Sequence, residues 1–455
     1  MTRKSTLTFW GGAGTVTGAN FLFESGSLRL LVDCGLIQGS EFCDQCNYDP
    51  FPYNPKEIGI LFATHAHADH IGRIPKLVKE GFTNVIYSTA ATRDLAEVML
   101  EDAVGILKRE ALRLGRRPLY DSADVRKALN LWKTVSYHET IPLGEGFSAI
   151  LKDAGHILGS AMVELSREGR RIVFTGDLGN SPSILMPDTE KVEDATYLVM
   201  ESVYGNRTHE AKDDRSLMLQ KAVEDTVKRG GTLVIPSFSI ERTQTILYEL
   251  NKLFEQNIIP SVPVFLDSPL AIKVTDIYRR YTKLLNDKVQ EGVHSGDDVF
   301  DFPSLSLTAS SYESREIVDA PSPKIIIAGA GMSGGGRIVQ HEKEHLSDAK
   351  NMLLLVGYQV AGSLGRKIQD GAKEVVIFNE RVPIRAEVRT IRGFSGHRDS
   401  VGLVAFVEQT AKSLERVFVV MGEPKASLFL VQRLRDYLGV HAISPEKGES
   451  FELHL

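Results

Sequence analysis

The feature that most limits what this chain can fold into is a group of four metal-binding side chains. His65, His67, Asp69 and His70 follow the short apolar stretch 58–63 almost directly. Such a stretch after a proline-containing segment predicts a buried strand. Side chains two residues apart on an extended chain point the same way, so His65 and His67 can reach one ion. Imidazole and carboxylate groups suit zinc or a similar transition-metal ion, and open coordination positions would make the site catalytic.

The string from His65 to His70 resembles the metal-binding fingerprint of the metallo-β-lactamase superfamily. The resemblance implies further motif residues in a set order along the chain, each after an apolar stretch. The sequence has a candidate for each of them, namely Asp33, His156, Asp177 and His397. A metal site built from residues far apart in the sequence is therefore expected.

The resemblance also implies how the donors are shared between two ions. The implied ligands are His65, His67, Asp69, His70, His156, Asp177 and His397. His156 would complete the site of His65 and His67, Asp177 would bridge both ions, and the other three would hold the second ion. Two zinc ions about 3.5–4 Å apart can hold a hydroxide between them that attacks a phosphodiester. Manganese is the alternative metal.

Asp33 is expected to act on a ligand rather than on the metal. It follows the apolar residues 30–32. By the resemblance it accepts a hydrogen bond from a ligand histidine and fixes the orientation of that ring. A simple turn aspartate before Gly35 is the alternative.

Length and composition are those of an ordinary globular enzyme. A chain of 455 residues suggests two domains or more, and 42% hydrophobic and 25% charged residues are typical values. No apolar run approaches the ~18 residues that span a membrane, and the first residues lead into no signal-peptide core. We therefore expect a cytoplasmic protein with no membrane partner.

The cysteines do not form a disulfide scaffold, because Cys34, Cys43 and Cys46 are too few for one. Cys43 and Cys46 have the C-x-x-C spacing of a redox pair or of half a zinc site. No second C-x-x-C accompanies them, so two reduced surface thiols are the favoured interpretation.

The charge pattern argues against indiscriminate binding to nucleic acid, since the net charge is −6. Basic residues do gather in the segment 108–117. Interleaved leucines at helical spacing favour an amphipathic helix with a solvated basic face there, and nucleic-acid contact is the alternative.

The order of patterns along the chain predicts an inserted domain. From about residue 206, strand and helix patterns alternate, which suits a parallel sheet covered by helices. His397 comes after this region although it is an implied ligand of the first domain. We therefore predict an inserted domain at 206–384, between the first part of the metal domain at 1–205 and its last part at 385–455.

An insertion before the last ligand resembles the β-CASP group of RNA and DNA nucleases, especially its cleavage-and-polyadenylation endonuclease branch. Six strings carry that resemblance, at 12–18, 200–207, 237–244, 331–337, 357–365 and 394–397. The resemblance implies an α/β fold, in which a metallo-β-lactamase αββα sandwich carries an inserted β-CASP α/β domain. It also implies a metal-dependent endoribonuclease acting on single-stranded RNA, with exonuclease activity as a further option, and a homodimer.

Residues of the inserted segment are candidates for binding RNA phosphates. They are Ser237, Arg242, Ser333, Gly334, Gly335 and Arg337. Backbone N–H groups without side-chain obstruction, a helix N-terminus and a guanidinium together suit a phosphate. A flexible glycine turn and a serine helix cap are the alternatives.

The source of the leaving-group proton is left open by the sequence. The resemblance implies that Glu201 pairs with a histidine of the insertion to orient or protonate the departing oxygen. Lys367 stands where relatives carry that histidine. A lysine has an unperturbed pKa of about 10.4 and is a poorer acid–base group near neutrality. Either Lys367 replaces the histidine, or the proton comes from elsewhere; Asp69, Asp177 and His397 complete the implied catalytic set.

Two other functions would keep the same ligands. A metallohydrolase of small esters, thioesters or lactams would not need the insertion or its glycine–arginine loop. A catalytically silent RNA-binding scaffold is the second alternative. The complete ligand set argues against a scaffold, whereas Lys367 argues for it.

Overall fold

The computed structural model describes residues 4–38, 46–210, 212–360 and 362–455. The chain forms two compact units, of which the first combines Met1–Thr208 with His397–Leu455 and the second is His209–Gly396. The second unit is thus an insertion in the chain of the first. Cys43, one of the two cysteines with C-x-x-C spacing, lies outside the described residues, and Cys46 is partly exposed.

The first unit contains two seven-stranded sheets. In spatial order the first sheet consists of Ser450–His454, Lys4–Gly11, Asn20–Ser25, Leu28–Val32, Ile60–Phe62, Val85–Ser88 and Trp132–Thr134. Its first four strands pair antiparallel, and from Leu28–Val32 onward the strands are parallel. Parallel neighbours cannot be joined by a tight turn, so helices fill the connections.

The second sheet also combines parallel and antiparallel strands. Its spatial order is Ala442–Ile443, Arg416–Val420, Tyr197–Glu201, Arg170–Phe174, Ala161–Arg167, Phe147–Asp153 and Ile141–Gly144. Tyr197–Glu201 runs parallel to both of its neighbours, so the carboxyl ends of three adjacent strands meet at one edge. That edge carries the segments that follow Phe174, Glu201 and Val420.

The main core of the first unit lies between the two sheets. Phe9 and Phe21 from the first sheet meet Phe174 and Phe418 from the second, with ring centroids 5.2–6.3 Å apart. Each such side chain contributes about 1.5–3 kcal/mol on burial. A second cluster joins the second sheet to the last two helices through residues such as Leu198, Leu403 and Leu430.

The helices Ala90–Arg113, Ser122–Asn130 and Ser400–Glu408 begin at residues whose side chains cap the helix. Thr89 accepts a hydrogen bond from the backbone of Thr92, and Asp121 and Asp124 form a capping box. The helices are Ala68–Ile71, Ile74–Lys79, Ala90–Arg113, Ser122–Asn130, Ser400–Glu408 and Pro424–Leu438, with 3₁₀ turns at Cys46–Tyr48 and Pro55–Glu57. Together with the two sheets they form the predicted αββα sandwich.

The second unit is built on one parallel sheet. Its six strands are, in spatial order, Leu305–Leu307, Val264–Asp267, Lys324–Ala328, Thr232–Pro236, Met352–Leu355 and Glu387–Thr390. All neighbouring pairs are parallel, and the central strands are buried along their whole length. Apolar runs such as 325–327 suit a sheet that is covered on both faces.

Helices alternate with these strands along the chain. They are Lys212–Lys228, Arg242–Glu255, Pro269–Arg280, Asp287–His294, Ser311–Asp319, Ile338–His345 and Leu364–Gln369, with 3₁₀ turns at Thr282–Leu284 and Arg392–Phe394. A hairpin of Glu374–Ile377 and Glu380–Pro383 forms a separate two-stranded sheet. The predicted strand–helix alternation in this segment is therefore confirmed.

The sequence-based junction at 384/385 falls inside the second unit. The strand Glu387–Thr390 pairs with Met352–Leu355, and this pairing places it in the second unit's sheet. The chain returns to the first unit at His397. Among the described helices, none is both long enough and apolar enough to cross a bilayer.

Candidate metal centre

The first metal-binding motif leaves a strand and enters a helix within a few residues. Ile60–Phe62 ends before Thr64, and His67 is the N-cap residue of the short helix Ala68–Ile71. His65 and His70 are completely buried, whereas His67 is half-buried. The short helix turns His70 back toward His65, and the two rings lie 4.0 Å apart between centroids.

Three histidines and one aspartate converge on a common point. His67 Nδ1 lies 3.1 Å from His65 Nε2 and 3.3 Å from His156 Nε2. Asp177 Oδ2 lies 3.4 Å from His65 Nε2 and 3.5 Å from His156 Nε2. One donor atom from each of these residues falls within 4.8 Å of all the others, which is the spacing of a metal-ligand set.

Asp33 holds His70 from the side away from this group. His70 Nδ1 is 2.7 Å from Asp33 Oδ2, and the same carboxylate accepts hydrogen bonds from the backbone and the hydroxyl of Thr64, both at 2.8 Å. Asp33 has φ 62° at the end of Leu28–Val32, a conformation that aspartate tolerates better than most residues. The carboxylate therefore fixes both the ring of His70 and the start of the motif.

A second group of donors shares Asp177. Asp177, Glu201 and His397 each offer one donor atom within 4.8 Å of the other two. His397 Nδ1 lies 3.3 Å from Glu201 Oε1 and 3.8 Å from Asp177 Oδ2. Asp177 Oδ1 faces His70 Nε2 at 3.3 Å, and His70 Nε2 lies 3.9 Å from Asp69 Oδ2. Asp177 thus stands between two sets of donors.

Burial shifts the pKa values of the two histidines His67 and His156, whereas neighbouring charge dominates the pKa of Asp177. Burial lowers the pKa of His67 and His156 well below the ordinary value and so favours the neutral imidazole that binds a metal ion. Burial alone would raise the pKa of Asp177, but charge on His70 and His397 lowers it well below its ordinary range. The aspartate is therefore an anion surrounded by imidazoles.

These residues fit a metal ion on structural grounds. Among the described residues, His70 Nε2 and Asp177 Oδ1 are buried and form no hydrogen bond, although the two atoms face each other at 3.3 Å. Such atoms are costly unless something binds them. Neutral imidazole nitrogens and a carboxylate are the donors that zinc and similar ions take. A cation at this point would satisfy the atoms that the protein leaves unpaired.

Glu201 ends the strand Tyr197–Glu201 of the first unit. It is fully buried, with Oε1 accepting from the backbone of Leu178 at 2.7 Å and Oε2 from that of Val203 at 3.3 Å. Its contact with His397 lies within the first unit. Lys367 is exposed on the helix Leu364–Gln369 of the second unit, and its partnership with Glu201 stays a prediction.

The second unit gathers polar residues at the carboxyl edge of its sheet. Arg242 begins the helix Arg242–Glu255 and is only 6% exposed, yet its Nε and Nη1 have no hydrogen-bond partner among the described residues. Ser237 follows the neighbouring strand end and accepts from the hydroxyl of Thr243 at 3.0 Å. Ligands commonly bind at this edge of a parallel sheet. A buried guanidinium with free N–H groups is equipped to receive an anion.

The glycine loop of the second unit divides into an open part and an anchored part. A Cβ atom at Gly334 or Gly335 would meet nothing within 4 Å, so their backbone is accessible. The hydroxyl of Ser333 donates to the buried Glu342. Arg337 donates to Asp267 Oδ1 at 2.6 Å and to two backbone carbonyls, so its guanidinium anchors the end of the loop.

Three family models cover most of the chain. The metallo-beta-lactamase superfamily matches residues 14–227, the Beta-Casp domain matches 243–368, and the Zn-dependent metallo-hydrolase RNA specificity domain matches 381–445. The chain is also 37% identical over 421 residues to Ribonuclease TTHA0252 from Thermus thermophilus, covering 92% of this chain and 94% of the relative. The chain belongs to the β-CASP family of the metallo-β-lactamase superfamily. Membership explains why a metal-binding unit is interrupted by a parallel-sheet unit before His397.

Other members of the family match along nearly the whole chain. The transcription termination factor FttA of Methanocaldococcus jannaschii is 31% identical over 440 residues, covering 94% of this chain and 68% of FttA. An RNase J-like protein of the same organism is 30% identical over 449 residues, covering 97% and 98% of the two chains. A crystal structure of a protein of unknown function from Enterococcus faecalis V583 covers 99% of this chain and 100% of that one, with a TM-score of 0.55 at 13% identity. That likeness concerns the fold alone.

Proposed function

We infer that this β-CASP protein is a metal-dependent ribonuclease that hydrolyses phosphodiester bonds of single-stranded RNA. The observation that carries the inference is the position of Asp177, which belongs to both groups of donors. Its Oδ2 lies within 3.8 Å of nitrogens of His65, His156 and His397, and its Oδ1 faces His70. The alignment with Ribonuclease TTHA0252 covers 94% of that relative, and its name supports RNA as the substrate class.

The proposed centre holds two ions, for which we name zinc, with manganese as the alternative. His65, His67 and His156 would hold one ion, and Asp177 would contribute to both. Asp69, His70 and His397 would hold the other ion. Bound divalent ions supply positive charge to the phosphate and lower the pKa of a coordinated water. All other tasks fall to the side chains of the chain itself.

The first task of those side chains is to orient the ligands. Asp33 fixes the ring of His70, and we propose that Glu201 does the same for His397, since both contacts run from a buried carboxylate to the Nδ1 atom of a histidine. Ligand histidines normally have such a partner. Glu201 therefore acts through His397 in this proposal. Lys367 is kept as the candidate proton donor to the departing oxygen.

The second task is to bind the RNA backbone. We propose that Arg242 contacts a phosphate, because its Nε and Nη1 have no hydrogen-bond partner among the described residues, while its Nη2 lies 3.5 Å from the Glu241 carboxylate. Ser237, Ser333, Gly334 and Gly335 would contribute hydroxyl or backbone groups from the same sheet edge. Arg337 supports the loop through Asp267 and is proposed to act on phosphate only through the loop's shape.

The finer properties of the enzyme are also proposals. We propose endonucleolytic cleavage, with exonuclease activity as an addition, and a homodimer located in the cytoplasm. The division into residues 1–205, 206–384 and 385–455 likewise stays a prediction about domains.

The test is cleavage of a 5′-labelled single-stranded RNA by protein whose metal content has been measured. Wild type should give internal products, and His67→Ala should give none. His441→Ala is the matched control, because His441 is exposed in the same unit, and it should cleave like wild type. Metal-loaded wild type that binds the RNA without cutting it would favour a silent scaffold. Cleavage of a small ester but not of RNA would favour the small-molecule hydrolase.

A further inference from the structure

The segments that carry the proposed ligands His156, Asp177 and His397 lie side by side in the first unit. Gly179, two residues after Asp177, donates its backbone N–H to Ala154 at 2.9 Å and forms a bridge with His397. A Cβ atom at Gly179 would lie 2.0 Å from the carbonyl oxygen of Gly155, so the approach requires glycine. The segment after Asp177 is therefore enclosed between the segments of the other two ligands.

Arg398 crosses this arrangement from one side. Its backbone N–H donates to Leu178 at 2.9 Å, its Nε to the carbonyl of Gly179 at 3.0 Å, and its Nη2 to Ser181 Oγ at 2.8 Å. The guanidinium lies 5.7 Å from the centre of the Phe406 ring. Arg398 thus binds three residues of the segment that follows Asp177, one through its backbone and two through its side chain.

Ser181 is linked to the His156 segment by hydrogen bonds through Thr189. The backbone N–H of Thr189 lies 3.4 Å from Ser181 Oγ, and the Thr189 hydroxyl donates to the carbonyl of Ala154 at 2.9 Å. The chain of hydrogen bonds runs from Arg398, next to His397, to Ala154, two residues before His156. We call these bonds the Arg398–Ser181 strap.

We propose that Arg398 and Ser181 are positioning residues that set the metal affinity of the centre by fixing the relative positions of His156, Asp177 and His397. This inference rests on the metal centre of the proposed function. A planar guanidinium fixes several acceptors at once, which a flexible or apolar side chain cannot do. Partners that orient metal ligands typically change metal affinity by about 10–100-fold when removed.

The alternative is that the strap only stabilises the fold. The two cases differ in the response to metal. A stabilising role lowers the unfolding temperature equally with and without metal, whereas a positioning role reduces the stabilisation that added metal confers. A 10–100-fold loss of affinity corresponds to about 1.4–2.8 kcal/mol less stabilisation at saturating metal.

The experiment measures zinc affinity of the full chain by competition with a chelator, together with unfolding temperatures in zinc and after zinc removal. Arg398→Met should bind zinc about 10–100-fold more weakly and gain less stability from it. Ser181→Ala should show a smaller loss in the same direction. Arg435→Met is the control, because Arg435 donates to the carbonyl of Ala442 elsewhere in the first unit, and its zinc affinity should match wild type.

Wild-type zinc affinity in both Arg398→Met and Ser181→Ala would overturn the inference. If Arg398→Met does not fold, Ser181→Ala decides alone, and unchanged affinity in that variant overturns the inference. Tight zinc binding by a wild-type protein that cleaves no RNA would instead defeat the proposed function and leave the strap intact.

Discussion

Replacing Glu342 with glutamine should stabilise the protein at pH 8 and leave its stability at pH 4 nearly unchanged. Glu342 is fully buried in the helix Ile338–His345, where one carboxylate oxygen accepts from the Ser333 hydroxyl. Its other oxygen has no hydrogen-bond partner among the described residues. Burial raises the pKa of Glu342 from 4.5 to about 7, because the charged form loses its hydration.

The size and sign of the effect follow from this shift. Between pH 4.5 and 7 the folded state holds a proton that the unfolded state releases, so stability falls as the pH rises through this range. The loss of stability caused by ionising buried Glu342 is absent below pH 4.5 and complete above about pH 7. A shift of this size corresponds to about 3 kcal/mol. Glutamine keeps an acceptor for Ser333 and carries no charge, so it should remove the penalty.

The assay is urea unfolding of wild type and Glu342→Gln at several pH values between 4 and 8. His345 on the same helix has the opposite dependence, since burial lowers its pKa to about 4 and its contribution is lost as the pH falls from 6.5. Taking the difference between the two proteins cancels that contribution. Glu344→Gln is the control, because Glu344 is exposed on the same helix and should show no pH-dependent difference. A difference for Glu342→Gln that does not grow between pH 4 and 8 would refute the reasoning.

Two further substitutions test separate parts of the second unit. Lys324→Met should lower the free energy of unfolding by about 2–3 kcal/mol in urea titrations, because the ammonium donates to three carbonyl oxygens that methionine leaves unpaired. An unchanged urea midpoint would contradict this. Arg242→Met should lower kcat/KM for RNA cleavage about 10–100-fold, as expected for a lost charged hydrogen bond, with metal content unchanged. Full cleavage activity would show that Arg242 does not contact the substrate.

The parts of the molecule that the sequence predicted well depend on short patterns. The histidines of the first motif follow a strand within a few residues, so local geometry brings them together. Apolar runs such as 325–327, alternating with helical patterns, indicate the parallel sheet of the insertion. The role expected for Asp33 came from the family resemblance, because a turn aspartate would follow a buried strand equally well.

The parts that the sequence missed depend on neighbours far away in the chain. Glu201 meets the segment after Asp177 because Tyr197–Glu201 lies beside Arg170–Phe174 in the sheet, and His397 pairs with the same segment at Gly179. That strand order is not encoded locally. Arg337 has the sequence context of a phosphate ligand, but Asp267, seventy positions earlier, occupies its guanidinium. Glu201 and Asp267 are each the last residue of a parallel strand. A carboxylate at the end of a predicted parallel strand is the sequence signal that could have suggested these contacts.

Leu112 and Leu114 show a related limit of pattern reading. Their spacing indicated the buried side of an amphipathic helix, but both are exposed, at 74% and 44%, around the end of Ala90–Arg113. Helical spacing defines a face of the helix and does not determine whether another element covers that face.

The measurement that tests the account most directly is RNA cleavage during metal titration of stripped protein, with bound zinc or manganese quantified in the same samples. The account predicts no cleavage by metal-free protein and recovery in step with metal bound, in wild type but not in His67→Ala. Cleavage at the wild-type rate by protein from which all metal has been removed would contradict it.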